Sequence, residues 1–443
     1  RPATFRRHIS PGNPSCNFIL GIESQLTRFW ELDTVPPTHC MSQEELACEE
    51  SFHNTTRRDT DGRFVVTIPL RDSSDVLGDS YVMAKRRFLS LERKFENNLQ
   101  FKTRYLQFIK EYIDLGHMSK NTQNICNAKQ YFMPHHGVVR ESSSTTKLRV
   151  VFDASAVTTS GKSFNDMQRV GPTIQQDLFS ILLRFRQHKY AVTSDIEKMY
   201  RGILVCESQR PLQQIIFRFD KSHPLQTYTL NTLTYGTSSA PYLATKCLMS
   251  LAEQCIDNKI QNAIKNDFFV DDFISGGDTL ESVIHLCKGV INVLDSAKFN
   301  LRKWQSNCPE ILNIITNIKS DPDKTLNLNN TCSCKTLGLY WNTQSDNLYF
   351  SIDTNLGSIQ KITKRIILST ISQIFDPLGL LGPCIVQAKI LIQKLWIDNS
   401  HPQSGGPVQI FFIREKLYFL KIPINIATIS PKLRYILLII VLL

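Results

Sequence analysis

Three aspartates have the residue type and spacing that metal-assisted phosphoryl transfer requires. Asp195 ends the apolar run Tyr190–Asp195, which predicts a strand, and Asp271 and Asp272 interrupt a second apolar run at 268–274. That second run predicts two strands folded about a two-residue Asp-Asp turn. Carboxylates from adjacent strands are ligands that Mg²⁺ prefers, and two such ions about 4 Å apart activate a hydroxyl and steady a leaving phosphate. An Asp-Asp turn alone is equally typical of an exposed hairpin.

The elements around these aspartates predict an α+β fold. Turn-spaced aromatic residues from about 80 to 116 predict a helical stretch that Asn97 and Asn98 divide in two. Short β-rich runs with intervening helices follow between about 129 and 341. Beyond about residue 353 the pattern is helical again, with a helix predicted over 384–396.

The charge balance favours a polyanionic partner. The chain has 443 residues, of which 51 are Lys or Arg and 40 are Asp or Glu, so its formal net charge is +11. Eight basic residues share one face of the predicted helical stretch: Lys85, Arg86, Arg87, Arg93, Lys94, Lys102, Arg104 and Lys110. Phosphate contacts suit this face, although a solvated helix face or an acidic membrane surface is compatible with the same charge.

The cysteines and histidines indicate neither disulfides nor a zinc site. The 12 cysteines form no CxxC pair, which is typical of a reducing, intracellular compartment. One group lacks the spacing of common zinc fingers: His39, Cys40, Cys48 and His53. The pair at 135–136 has no acidic or Cys partner at ligand spacing, so we interpret it as structural.

The two ends of the chain carry no secretion or membrane signal. Residues 1–15 are basic and Pro-rich, without the apolar stretch of a signal peptide. The apolar run at 435–443 is shorter than the ~20 residues that span a bilayer, so no membrane partner is expected. The absence of an initial Met and the apolar end predict a piece of a longer polyprotein, whose tail is a truncation or a shifted reading frame.

Six segments resemble the motifs of reverse transcriptases, in the order that this family has them. They are Lys147–Asp153, Ser194–Tyr200, Leu233–Pro241, Phe269–Asp272, Asn300–Trp304 and Thr336–Trp341. In the family these segments are the arginine segment of the fingers, two palm motifs, the aromatic-x-Asp-Asp box and two downstream strands, the last being the primer grip. An ordered series of this length is far more specific than any single motif.

Further segments resemble the BEL/Pao class of LTR retrotransposons. They are Phe29–Leu32, Asp61–Pro69, Tyr131–His136 and Ile374–Gly382. In that class the polyprotein continues from reverse transcriptase to RNase H and integrase, so the remainder of such a polyprotein, including its protease, is an expected partner. The implied location is intracellular, in cytoplasmic element particles.

The resemblance implies a right-hand polymerase with fingers, a palm on a small antiparallel sheet, and a helical thumb-like region. It divides the chain into an N-terminal linker and helical region at 1–125, fingers and palm at 126–350, and a thumb- or connection-like region with a degenerate tail at 351–443. The implied activity is RNA-directed DNA synthesis, in which dNTPs are added to a primer on an RNA or DNA template with Mg²⁺ or Mn²⁺.

The resemblance also implies a role for individual residues. The catalytic, metal-binding residues are Asp195, Asp271 and Asp272. The residues at the nucleotide are Arg149, Tyr200, Tyr235 and Gly236. The residues at the primer and template are Leu337, Gly338 and Trp341. Taken alone, Arg149 is also compatible with a surface strand charge, and Tyr200 and Trp341 are compatible with core packing.

Two residues depart from the retroviral pattern, and two activities are not expected. Tyr235 stands where many retroviral enzymes have Gln, and Phe269 where Tyr is commoner, so template contacts differ while the carboxylates remain. The Asp-Thr-Gly or Asp-Ser-Gly sequence of a retroviral protease does not occur, and the RNase H carboxylates are expected beyond the end of the chain. The alternative function is an inactive relic, or a domesticated protein that only binds nucleic acid.

Overall fold

The computed structural model describes residues 41–121, 129–139, 147–318, 333–336, 339–349, 364–372 and 374–397. The helices are α1 (Gln43–Thr55), α2 (Tyr81–Asn97), α3 (Leu99–Asp114), α4 (Leu178–Phe185), α5 (Met199–Gly202), α6 (Ala240–Glu253), α7 (Asn258–Asn266), α8 (Leu280–Asp295), α9 (Pro309–Ile318), α10 (Lys364–Ser372) and α11 (Gly382–Ile397). The strands are β1 (Arg57–Arg58), β2 (Phe64–Val66), β3 (Met118–Lys120), β4 (His135–Val139), β5 (Leu148–Phe152), β6 (Tyr190–Ile196), β7 (Leu204–Val205), β8 (Gln214–Phe217), β9 (Gln226–Leu230), β10 (Phe268–Phe269), β11 (Asp272–Gly277), β12 (Leu301–Ser306), β13 (Ser333–Thr336), β14 (Leu339–Asn342) and β15 (Asn347–Tyr349).

Side-chain caps set the ends of the N-terminal helices. Ser42 and Glu45 form a reciprocal capping box that starts α1. The Asn98 side chain accepts a 2.9 Å hydrogen bond from the Phe101 backbone N–H, so α2 ends and α3 begins at this residue. The predicted division of the helical stretch at Asn97 and Asn98 is therefore confirmed.

The strands form small sheets that are mostly antiparallel, so the molecule is of mixed α+β class. The central sheet has the order β10-β11-β6-β12, and each neighbouring pair in it is antiparallel. The other sheets have the orders β1-β2-β7, β3-β9-β8, β4-β5 and β13-β14-β15. In β5 the side chains alternate, with Leu148, Val150 and Phe152 buried and Arg149 exposed, as a half-buried strand requires.

One hydrophobic core joins the N-terminal helices to the central sheet. It contains Phe88 of α2 and Ile109 of α3 together with Val192 of β6 and Phe273 of β11. Strands cross the predicted boundary at 125/126 as well, since β2 pairs with β7 and β3 pairs with β9. The residues on the two sides of that boundary therefore share a core.

The described C-terminal part consists of a three-stranded hairpin sheet and two helices. Helices α10 and α11 pack through Ile367, Ile371 and Ala388, and the helix predicted at 384–396 lies within α11. The N-terminal linker at 1–40 and the tail at 398–443 lie outside the described residues. Among the helices that are described, none has the length and apolar character that crossing a membrane would need.

Candidate active site

Strand pairing brings the predicted carboxylates together at one end of the central sheet. Asp195, near the end of β6, lies directly opposite Asp272, the first residue of β11. Residues that are directly opposite on antiparallel strands project from the same face of the sheet. The carboxylates of Asp195 and Asp272 therefore share a face, and Asp271 is the next residue along the hairpin.

The hairpin that carries the aspartate pair differs by one residue from the predicted Asp-Asp turn. Phe269 pairs with Asp272, so the two loop residues are Val270 and Asp271. Asp272 belongs to a strand because its backbone pairs with Asp195 on β6. The Asp271 carbonyl accepts a 2.8 Å hydrogen bond from the Ile196 N–H, which fixes the tip against the end of β6.

An irregularity in β12 brings a lysine to the site. The pairing register between β6 and β12 shifts between Arg302 and Gln305, and Lys303 within the shift has a φ of 53°. Such bulges re-aim side chains next to functional sites. The Lys303 Nζ lies 2.7 Å from Oδ2 of Asp195, while Oδ1 of Asp195 is buried without a hydrogen-bond partner. Sequence reasoning missed Lys303, since nothing in its pattern predicted a bulge.

Burial and the neighbouring carboxylates disfavour the charged forms of Asp271 and Asp272. Burial raises the pKa of Asp271, and the negative charge of Asp195 raises it further. Burial raises the pKa of Asp272 to about 7, with additional contributions from Asp271 and Asp195. Lys303 opposes both shifts. The site thus holds more negative charge than its one nearby lysine offsets.

A divalent cation fits this arrangement. It would relieve the repulsion between the carboxylates and provide a partner for the unpaired Oδ1 of Asp195. Among the described residues, no three His, Cys, Asp or Glu side chains are arranged to hold one metal ion. Mg²⁺ keeps several waters and is commonly held by one or two carboxylates plus substrate phosphates, so Asp195 with one member of the pair is a sufficient protein contribution.

Two predicted nucleotide residues lie close enough to Asp271 to interact with it electrostatically. The positive charge of Arg149, exposed on β5, lowers the pKa of Asp271. Tyr200 lies on the one-turn helix α5, and burial together with the Asp271 charge raises the pKa of its hydroxyl to about 12. The structure therefore brings Arg149 and Tyr200 to the carboxylate end of the sheet.

The turn at Tyr235 and Gly236 lies against β5. The Tyr235 hydroxyl donates a 2.5 Å hydrogen bond to the Val150 carbonyl, so this group is already occupied. Gly236 has a φ of +97°, and a Cβ there would lie 2.7 Å from the Phe152 carbonyl oxygen. Only glycine fits this conformation and this approach.

Asn165 holds the same turn, and sequence reasoning missed it. Its Nδ2 donates to the Gly236 carbonyl at 3.1 Å, and its Oδ1 accepts from the Ser238 N–H at 2.9 Å. No sequence pattern marks an asparagine that lies about seventy residues away along the chain.

Of the predicted primer-grip residues, Trp341 is described, and it is buried in the core. Its ring lies against Phe185 with centroids 5.1 Å apart, and Nε1 donates to Asp346 Oδ1 at 2.9 Å. Arg186 also donates to Asp346 Oδ1, at 2.8 Å. Trp341 therefore packs β14 against α4 instead of facing solvent. Leu337 and Gly338 lie outside the described residues.

The basic face of α2 and α3 is electrostatically unbalanced. The acidic residues of α2 pair with cations from elsewhere, since Glu92 binds Arg218 in a two-bonded contact at 2.8 Å and Glu96 binds Lys221. Lys85 and Arg86 are exposed, and Arg87 makes a 2.5 Å ion pair with Asp153. The acidic residues of α2 thus neutralise other cations, which leaves this face positive.

Comparison with known proteins gives one family match. The model of the Pao retrotransposon-like RNaseH-like domain matches residues 363–404. The chain is similar to the foamy viral protease-reverse transcriptase in complex with an RNA/DNA hybrid, at 14% identity over 67% of this chain and 34% of that chain, with a TM-score of 0.45. It is also similar to the dRH form of that protein in complex with double-stranded DNA, at 14% identity over 69% and 44%, with a TM-score of 0.44. The chain thus spans less than half of these viral chains. No curated protein matches it.

The matched segment bears on the predicted C-terminal boundary. The resemblance predicts a thumb- or connection-like region at 351–443, which includes the matched residues, and RNase H sequence beyond the chain. The family that matches these residues is described instead as an RNaseH-like domain. The match bears out the relationship to retrotransposon polyproteins that the motifs predict.

Proposed function

We propose that this chain is an RNA-directed DNA polymerase that adds dNTPs to a primer by metal-assisted nucleotidyl transfer. The observation that carries the proposal is the convergence of Asp195 and the Asp271-Asp272 pair at one sheet end, with a buried, unpaired carboxylate oxygen and a raised Asp272 pKa. Strongly perturbed carboxylates beside a basic partner are typical of functional sites. The proposed architecture is a right hand, with fingers and palm at 126–350 and a thumb- or connection-like region after them.

Asp195, Asp271 and Asp272 would hold Mg²⁺ or Mn²⁺. When bound, such ions activate the primer hydroxyl and neutralise the departing pyrophosphate. Before binding, Lys303 holds Asp195 through the 2.7 Å contact and limits the repulsion in the site. Lys303 thereby keeps Asp195 in place, while Oδ1 of Asp195 still lacks a hydrogen-bond partner.

The remaining residues bind and select the nucleotide. Arg149 offers a planar, bidentate donor to triphosphate oxygens. Tyr200 presents a ring beside Asp271, and its bulk excludes a ribose 2′-hydroxyl. At the turn of Tyr235 and Gly236, backbone groups would contact the nucleotide, because the Tyr235 hydroxyl is already hydrogen-bonded to the Val150 carbonyl. Leu337 and Gly338 would contact the primer, and Trp341 packs β14 into the core.

Primer extension on an RNA template tests the proposal. The wild-type chain is expected to add dNTPs in the presence of Mg²⁺ and to stop when EDTA is added. Asp278→Asn is the matched control, because Asp278 is an exposed aspartate outside the site. A purified, folded chain that extends no primer with either Mg²⁺ or Mn²⁺ would contradict the proposal.

The positive face of α2 and α3 favours a second candidate, a protein that binds nucleic acid without catalysis. Binding would then persist without extension, and Asp195→Asn would leave the affinity for primer–template unchanged or increased. Measuring extension and binding on the same samples separates the two functions.

A further inference from the structure

The tip of the aspartate hairpin adopts a conformation that its sequence disfavours. Val270 has a φ of 55°, in the left-handed region. A β-branched residue is a genuine outlier there, because its side chain crowds the backbone. Such conformations persist only where surrounding contacts determine them, and they cluster at functional sites. The contacts that hold Val270 therefore bear directly on the position of Asp271 and Asp272.

One side chain contacts both backbone polar groups of Val270. The Gln175 Oε1 accepts a hydrogen bond from the Val270 N–H at 2.7 Å, and the Gln175 Nε2 donates to the Val270 carbonyl at 3.5 Å. A side-chain amide thus satisfies both backbone polar groups of a turn residue. Val270 directly follows β10, which is the outer strand of the central sheet in the described part of the chain.

The segment that bears Gln175 is itself anchored. Pro172 is buried, and Ile174 packs against the main core. Asp177 caps α4 by accepting a 2.8 Å hydrogen bond from the Ser180 N–H. The amide of Gln175 is therefore presented from a fixed backbone, which is what a positioning contact needs.

Two contacts from different segments hold the hairpin tip. Gln175 binds Val270, and the Ile196 N–H donates to the Asp271 carbonyl at 2.8 Å. The second contact comes from β6, immediately after Asp195. Together with the strand pairing of Asp272 with Asp195, these contacts fix the aspartate pair relative to Asp195, and loss of the Gln175 contact removes the constraint on Val270.

We infer that Gln175 is a positioning residue, which holds Val270 in its left-handed conformation and so sets the spacing of Asp271 and Asp272 from Asp195. Its role in activity rests on the proposed polymerase function, but its role in the hairpin does not. Residues that orient metal ligands through such contacts typically change metal affinity or activity by about 10–100-fold when they are replaced.

The test compares Gln175→Met with Gln176→Met. Methionine retains length and apolar bulk but makes neither bond, and Gln176 is an exposed neighbour of the same type. For Gln175→Met we expect faster amide hydrogen exchange at Val270, Mn²⁺ affinity about 10-fold weaker by electron paramagnetic resonance, and kcat lower by a similar factor. The KM for primer–template should not change, and Gln176→Met should match wild type.

The outcomes separate this inference from the proposed function. Unchanged exchange at Val270, or unchanged Mn²⁺ affinity, in a folded Gln175→Met protein would overturn the positioning role. If wild type extends no primer, the proposed function fails, while exchange and Mn²⁺ binding still decide the role of Gln175. Should Gln175→Met fold poorly, Gln175→Asn provides the same comparison, because its amide is one methylene too short to reach both Val270 groups.

Discussion

Two buried polar sites in this molecule differ in whether their polar groups have hydrogen-bond partners. In the first, His135 on β4 is fully surrounded by core residues. Its Nε2 donates to the Ile216 carbonyl at 3.0 Å, and its Nδ1 accepts from the Tyr105 hydroxyl. Burial lowers the pKa of His135 to about 4, so the ring is neutral and both nitrogens are used. The site is electrostatically complete.

The carboxylate end of the central sheet is incomplete in the same sense. Asp195 Oδ1 is buried without a partner, and so are Nε of Arg302 and Nε1 of Trp304 on the neighbouring strand β12. Burial and neighbouring charges push the Asp272 pKa upward, to about 7. A fold that satisfies His135 leaves these groups unsatisfied, and exceptions of this kind are expected where a ligand is to bind.

The largest effect is expected when one carboxylate is removed from the central sheet. Asp195→Asn or Asp271→Asn is expected to lower primer extension by about 10³-fold, because an amide does not hold the metal charge. The melting temperature should stay the same or rise, since the substitution relieves repulsion between carboxylates. Single-turnover extension and thermal unfolding measure the two effects. Near wild-type extension in either variant would remove these residues from the active site.

Tyr200 tests whether the pocket beside the carboxylates selects its sugar. Tyr200→Val is expected to increase ribonucleotide incorporation relative to dNTPs by about 10²-fold, because the ring no longer excludes the 2′-hydroxyl. Tyr200→Phe keeps the ring and should retain the preference. Single-nucleotide insertion with dNTP and rNTP gives the ratio. A Tyr200→Val protein that folds and keeps its original preference would make Tyr200 a packing residue.

The two buried sites should respond to pH with opposite signs in the metal-free protein. The His135 pKa is depressed from 6.5 to about 4, so the unfolded state binds the extra proton and stability falls as pH drops through this window. The Asp272 pKa is raised from 3.8 to about 7, so the folded state binds the extra proton and stability falls as pH rises from about 4 to 7.

Urea unfolding at several pH values across this range measures how the free energy of unfolding changes with pH for both sites. His135→Gln keeps a donor and an acceptor but does not titrate, so it should remove a loss of up to about 1.4 kcal/mol per pH unit on acidification. Asp272→Asn should remove the opposite slope. His53→Gln, at an exposed position of α1, is the control. If His135→Gln loses as much stability on acidification as the wild type does, the contrast between the two sites is contradicted.

The smallest expected effect concerns the positive face of α2. Lys85→Ala with Arg86→Ala should lower the slope of log affinity against log salt by about 2 for primer–template binding. Lys259→Ala with Lys288→Ala, on exposed positions of α7 and α8, should leave the slope unchanged. Equal slopes in both double variants would return the α2 face to the role of a solvated surface.

The sequence predicted the secondary-structure elements and the three aspartates better than the residues that hold the site in place. The apolar run at 190–195 and the asparagines at 97–98 are local signals, and the structure has the strand and the helix break that they predict. Gln175, Asn165 and the Lys303 bulge depend on contacts between segments far apart in the chain, which no local pattern encodes. The hairpin turn was placed one residue late because the pairing of Asp272 with Asp195 is also such a contact.

The strand pairs that cross residue 125 have a consequence for how the chain reaches its fold. Val65 pairs with Leu204, and Met118 pairs with Leu230. During synthesis at about 5–20 residues per second, β2 and β3 emerge several seconds before their partners. Their edges and the apolar faces of α2 and α3 stay uncovered in that interval, and long-range pairings of this kind are slow to form. The N-terminal helices therefore depend on sequence made later, and a ribosome that pauses between 120 and 200 would expose the most aggregation-prone nascent chain.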